Sequence, residues 1–340
     1  MRNETRLAYD GYLSAIAQLN GIARATEKFA VAPSVQQKLE TRIQESSDFL
    51  KRINVIGVTE QQGAKLGLGV GVGGPIASTT DTSQKDRETV DVTDLDENGY
   101  NCSQTNFDSH VTYALLDAWA KFPDFQNRIR DVIVRRQALD RIAIGFNGVT
   151  RAKTSDRTKN PLLQDVNKGW LQRMREQAPQ RVMDHGATAG KIAVGKGGDY
   201  ANLDALVFDM VASMIDPWHQ DDTALVVLCG RGLLHDKYFP IVNTVQAPTE
   251  TLAADVIMSQ KRIGNMPAVT VPFFPAHALM VTSFDNLSIY YQDGGRRRSI
   301  VDNAKRDRIE NYESSNDSYV VEDLGRAAMA EKIELAATGA

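Results

Sequence analysis

Cysteine is scarce: Cys102 and Cys229 are the only two in 340 residues, too few for a disulfide framework and too far apart for a CxxC motif. Such usage suggests a reducing cytoplasm. An excess of either charge is also missing, since 39 Lys and Arg against 43 Asp and Glu leave a net charge of −4. That balance argues against a continuous basic face built to grip nucleic acid. No run of residues approaches the roughly 20 apolar positions of a membrane helix. The first residues, MRNETRLAYD, are charged where a signal peptide has its apolar core, and the closing Ala-Ala-Thr-Gly-Ala fits no lipidation signal. A soluble protein without a membrane partner is expected. What is present is ordinary for a folded chain, 42% hydrophobic and 24% charged. The length admits a large core and about two domains.

The chain opens on a helical pattern in which Leu7, Tyr12, Ile16 and Leu19 recur before Asn20-Gly21 stops it. A small-sided tract runs from residue 23 to Pro33. Ser34 with Gln37 then predicts a capping box for a second helix, with Val35, Leu39, Ile43 and Leu50 along one face. Residues 53–58 read as a short strand. Each element has one narrow apolar stripe, so an arm is expected. Residues 59–106 are rich in Gly, Ser, Thr, Asp and Gln, with GLGVGVGG at 67–74. This far exceeds the length of about 15 residues beyond which loops are functional or disordered. Alternation at 65–70 and 89–92 predicts two strands of a weakly packed hairpin, which a neighbouring molecule would hold.

Residues 124–146 carry the strongest helical signal, with Phe125, Ile129, Val132, Ile133, Leu139, Ile142, Ala143 and Phe146 in one stripe. Arg128, Arg135, Arg136 and Arg141 lie on the other face, and GFNG at 145–148 supplies a stop. A polar loop at 151–164, a helix near 166–176 and a hairpin-like insertion at 184–200 follow. From residue 202 the pattern alternates: helix 203–215, strand 224–229, helix 232–239, and strands at 268–271, 279–282 and 287–291. Asp293-Gly294-Gly295 predicts a hairpin turn into a strand at 296–301, and residues 308–323 alternate again.

Signals for chemistry are weak. Gly69, Gly71 and Gly74 spell GxGxxG, but Pro75 and a polar tract follow where a dinucleotide site needs a helix. Gly195-Lys196-Gly197-Gly198 lacks the Walker spacing. The five histidines are scattered, and His219 with Asp221 and Asp222 reads as a hydrated loop. No GxSxG elbow occurs. Catalytic, cofactor-binding and metal-binding residues are therefore expected to be none. Arg296-Arg297-Arg298 is the sharpest charge feature, read either as contacts to a neighbour or to phosphates, or as a solvated strand start. Trp119, Trp170 and Trp218 are expected in the core, and Tyr290-Tyr291 on a strand with one face buried and one exposed. From these residues alone, a cytoplasmic oligomeric enzyme and a nucleic-acid-binding protein stay open as alternatives.

Longer strings are more telling: QESSDFLKRI (44–53), IASTTDT (76–82), GFNG with 151–165, GGDYANLDA (197–205), LAADVIMSQKRIGNMP (252–267) and RIENYESSNDSYVVED (308–323). In this order they resemble the major capsid protein of Peduovirus-type tailed phages, from MRNETR almost to the end of the chain. Residues 184–191, residues 244–249 and the C-terminal tail depart from it. The resemblance implies an α+β chain of the Hong Kong 97-type capsid fold. It assigns residues 1–58 to an N-arm, 59–106 to an extended E-loop and 107–201 to a peripheral domain with a long spine helix. Residues 202–301 would be an axial domain, and 302–340 a return strand and tail. It implies a structural subunit, not an enzyme, that builds hexamers and pentamers of an icosahedral head. Its partners would be itself, an internal scaffold with a maturation protease, a portal protein, and packaged double-stranded DNA held without sequence specificity. It places the product in the virion capsid, assembled in the bacterial host cytoplasm. It further implies removal of an N-terminal segment by a cut among Lys28, Phe29, Ala30, Val31 and Ala32, in a tract whose backbone is accessible. Arg296, Arg297, Arg298, Arg135 and Arg136 are expected to contribute contacts between subunits. Some members of the wider fold form Lys–Asn cross-links; Lys65 and Lys85 lie in the loop, but this family is not expected to form them.

Overall fold

The computed structural model describes residues 1–63, 77–84, 86, 87, 89, 99–120, 122, 124–235, 237 and 261–335. Expectations concerning Gly69, Gly71 and Gly74, Lys65 and Lys85, the strand at 65–70, nearly all of that at 89–92, and residues 244–249 lie outside the described residues. The helices are α1 (Asn3–Asn20), α2 (Pro33–Glu45), α3 (Tyr113–Trp119), α4 (Phe125–Asn147), α5 (Trp170–Gln177) and α6 (Leu203–Met214).

Two sheets organise the described residues. The first is built on the 14-residue strand Arg308–Val321. Arg297–Asn303 and Leu287–Gln292 pair antiparallel with successive parts of it, and Asn54–Val58 and Phe29–Ala30 extend the sheet at its two ends. Ser103–Asn106 and Ser109–Thr112 pair with the same long strand. The second sheet runs Arg262–Ile263, Met266–Thr270, Val226–Cys229, Leu279–Thr282, Ala328–Ala330, Val182–Met183. Residues 287–303, expected with the alternating unit, thus join the first sheet, while the last strands return to the second. The insertion at 184–200 is not a hairpin. Its flanking strands, Val182–Met183 and Ile192–Val194, pair with Ala328–Ala330 and Ile333–Leu335, and Asp199 closes the loop by accepting from the backbone N–H of Ala187 and Ala193.

Asp293-Gly294-Gly295 also departs from expectation, because it does not reverse the chain. Tyr291 faces Asp317 and Arg297 faces Ser314, so residues 292–296 answer only residues 315–316 across the ladder. The segment is a large bulge in one continuing strand pair, and the reversal comes at Ala304–Arg306 and Asp307, whose φ is 47°. A bulge re-aims side chains by breaking the two-residue alternation. Here it turns Arg296 inward.

The spine helix α4 follows its apolar period, burying Ile129, Val134, Ala138, Ile142 and Phe146. The helix ends within GFNG as expected, at Asn147 with Gly148 as its C-cap, and Gly145 lies in its last turn. A Cβ there would sit 2.2 Å from Cζ3 of Trp170, so glycine is what lets the indole close on the helix backbone. Trp170 is the hub of the main core. Its ring lies 5.0 Å from Phe146 and 5.3 Å from Tyr319, and its Nε1–H donates to the Ser288 carbonyl at 3.0 Å. Residues of both sheets, α2, α4 and α5 meet there. Helix α2 begins with Pro33 at its first turn and has no side-chain cap, so the Ser34–Gln37 capping box does not form. Instead the side chain of Asn20 accepts from the Ala32 N–H. Trp218 is 55% exposed rather than in the core, and both Tyr290 and Tyr291 are buried, because Tyr100 packs on one and the adjoining strand Asn54–Val58 covers the other.

Candidate assembly surface and the network beneath it

Where the bulge, α2, α4 and the long strand converge, charged groups are closed off from solvent. Arg296 is 0% exposed. It donates from Nε to Glu313 at 2.8 Å, from Nη1 to Glu40 at 2.6 Å and from Nη2 to the Gln137 side-chain oxygen at 2.7 Å. Gln137 returns its amide to Glu313 at 2.9 Å. Arg141, one turn further along α4, forks onto both oxygens of Asp317 at 3.1 Å and also pairs with Glu40. Glu40 is thus shared by two guanidinium groups on two different elements. Gln36, one turn before it on α2, clasps the bulge itself by donating to the Gln292 carbonyl and accepting from the Gly294 N–H, both at 2.9 Å.

The electrostatics are those of a network in which each charge has a partner. Burial alone would raise the carboxyl of Glu40, but Arg141 and Arg296 outweigh it and hold it below its ordinary value. For Glu313, burial is overcome by Arg296 and Arg298, and the group is held at about 2. Burial likewise disfavours the Arg141 cation, yet Asp317 and Glu40 keep it firmly charged. Buried pairs of this kind add little net stability but are costly to break, since removing one partner strands the other.

The five arginines expected at subunit contacts therefore separate. Arg296 has no exposed surface and its donors are engaged inside the chain, which removes it from that role; Arg141, expected on the solvated helix face, is also fully buried. Arg298 is partly buried and donates to Asn311 at 2.7 Å and to the Tyr12 hydroxyl at 3.0 Å. Arg297, Arg135 and Arg136 stand exposed, with Arg136 paired to Asp140 at 2.7 Å. Among the described residues no group of three or more His, Cys, Asp or Glu could hold a metal ion. His219 Nε2 lies 2.9 Å from the Asp323 carboxylate, which accepts, and Asp222 pairs with Arg326. Among the described residues no helix is long and apolar enough to cross a membrane.

The chain matches the family described as phage major capsid protein, P2 family, over residues 8–333. The chain belongs to this family. It is 55% identical to the capsid proteins of Escherichia phage P2, covering 98% of this chain and 96% of that one. It is 42% identical to the major capsid protein of Serratia phage KSP20, covering 99% and 98%. A solved structure described as the satellite phage P4 procapsid including size determination (Sid) protein superposes with a TM-score of 0.82 at 53% identity, covering 99% of both chains. The capsid of an empty GTA particle, at 15% identity and a TM-score of 0.51, shares the fold. The chain is thus a structural phage capsid subunit of the Hong Kong 97-type fold, not an enzyme, and it forms part of the virion by self-assembly.

Two surface features of this capsid subunit bear on its contacts. A polar cleft of about 600 Å³ lies between α4, the segment 104–109 and the loop 151–166. Thr105 Oγ1, Ser109 Oγ and Asp165 Oδ1 are buried along it without a hydrogen-bond partner among the described residues, beside Arg136, Lys153 and Arg157. The second feature is the tract expected to be processed. Lys28 is exposed, Phe29–Ala30 forms an edge strand on Arg297–Asn303, and the buried Val31 donates its N–H to the Arg296 carbonyl at 2.9 Å. Sequence reasoning missed Gln36, Glu40, Gln137, Glu313 and Asp317. The available signal was the placement of Gln36 and Glu40 one turn apart on the same side of α2 as Ile43.

Proposed function

We propose that this subunit forms hexamers and pentamers of an icosahedral head around double-stranded DNA, within the bacterial host cytoplasm, with a portal protein at the shell. In this reading an internal scaffold carrying a maturation protease cuts among Lys28, Phe29, Ala30, Val31 and Ala32. The observation that carries it is the end-to-end likeness to a procapsid chain, which includes the N-terminal segment. The connection between α1 and α2 is exposed at residues 26–28, which supports a cut at the Lys28 end of this tract. Phe29–Ala30 and Val31 are paired to the strand Arg297–Asn303 and to Arg296, and must detach before a protease can reach them. A net charge of −4 supports containment of DNA rather than grip.

Co-expression with the scaffold should give closed particles in negative stain. Protein from mature, DNA-filled heads should lack residues 1 to about 29 by intact mass; Met1 retained in such heads would refute the processing step. We assign the contacts between subunits to the exposed arginines Arg297, Arg135 and Arg136, with Arg298 holding the strand that carries Arg297. Arg297→Glu should lower particle yield several-fold while urea unfolding of the subunit stays as in the wild type. Normal yield would count against the assignment.

A further inference from the structure

Helix α1 sits on the body as a separate layer. Tyr9 and Ile16 are buried against Leu116 of α3, Ile129 of α4, Ile300 and Ile309, with Tyr12 and Leu13 partly covered. Polar contacts frame this apolar strip at both sides. The Thr5 hydroxyl and the Arg2 N–H both donate to Asp117 Oδ1, at 2.6 and 2.9 Å, and Arg6 pairs with Asp302 at 3.0 Å. Arg298 reaches the Tyr12 hydroxyl from the floor. The opposite face carries Leu7, 74% exposed, and Leu19 at the end of the helix is 67% exposed. Between α1 and the strand Phe29–Ala30 the chain is mostly exposed, with Ala25 its one buried residue.

An amphipathic helix with anchors at Tyr9, Tyr12, Leu13 and Ile16, seated in a groove made by other elements, is the geometry by which proteins bind separate helical peptides. Most contacts that hold it are made by side chains of α1 itself; the connecting segment adds the buried Ala25, whose carbonyl accepts from the Ile300 N–H at 3.0 Å. We infer that the groove between α3, the first half of α4 and the strands Arg297–Asn303 and Arg308–Val321 is a binding site for an amphipathic helix, with α1 as its ligand, and that α1 stays bound after the chain between them is cut. Cutting removes the tether and its high effective concentration, not the groove. The site is a property of the folded subunit and holds whether or not native processing occurs, so its failure and the failure of the processing reading are separate results.

The test uses the full chain with a site-specific protease recognition sequence inserted at residues 23–28. After cutting at micromolar concentration, gel filtration with mass analysis should show the N-terminal fragment eluting with the body. A labelled synthetic peptide of residues 1–22 should exchange into that complex. Ile16→Asp, on the seated face, should release the fragment upon cutting, whereas Leu7→Asp, on the exposed face, should not. The inference falls if the wild-type fragment elutes alone, if Ile16→Asp is retained as well as wild type, or if Leu7→Asp is also lost. It falls too if cutting unfolds the body, read by circular dichroism, because α1 would then be part of the fold rather than a ligand.

Discussion

Arg296→Ala is expected to lower the unfolding free energy of the unassembled subunit by about 3–5 kcal/mol, because it takes the buried cation from Glu313 and leaves Glu40 with Arg141 alone. The same change at Arg297, which is exposed, should stay within about 0.5 kcal/mol. Urea unfolding followed by tryptophan fluorescence separates the two cases, and a loss below about 1 kcal/mol at Arg296 would show that the network is dispensable. Acid should weaken the same network. Glu313 is held at about 2 in the folded chain, below the ordinary carboxylate value near 4.3 that it takes on unfolding. A carboxyl lowered by folding contributes stability above its unfolded value and loses it as pH falls through the folded one. Subunit stability should therefore decline between about pH 4.3 and pH 2, with Glu40 acting in the same direction. The decline should be shallower in Glu313→Gln.

Trp170→Ala should cost about 3–5 kcal/mol, the range for deleting a fully buried indole. The ring fills the junction of the two sheets and α4, and its removal also leaves the Ser288 carbonyl without its donor. Gly145 provides the check on mechanism. Alone, Gly145→Ala drives a methyl into the indole and should destabilise the subunit. In the Trp170→Ala background the obstruction is gone. Alanine then brings its helical preference of about 1 kcal/mol over glycine. The second substitution should thus change sign with the background. Equal harm in both backgrounds would place the cause elsewhere than the ring.

The spine helix and the long strand were legible in the sequence because each obeys one period over many residues. The family strings made the capsid fold legible as well. Arg296 was not legible. Three successive arginines look alike, and which one turns inward depends on a bulge clasped by Gln36, 256 positions before Gln292 in the chain. The buried face of α2 misled for a related reason. The apolar stripe named Val35, Leu39 and Ile43, and nothing in the sequence beyond helical spacing marks Gln36 and Glu40 as buried until their partners from α4 and the long strand are known. The GFNG string marked the end of α4 correctly, with Gly148 as the C-cap, but the use of Gly145 was not legible, since only the approach of Trp170 shows it. Trp218 was misplaced because a tryptophan in an apolar-patterned segment gives no sign of which side faces out.

The bulge at 292–296 has a mechanical consequence. Under shear along the strand axis, a uniform antiparallel ladder resists only through hydrogen bonds that can re-form one repeat further on. Here a slip of Arg297–Asn303 along Arg308–Val321 would drag the Arg296 guanidinium from Glu313 and Glu40, and would tear the loop from Gln36. No neighbouring register offers those partners again. The side chain behaves as a dowel through two sheared plates.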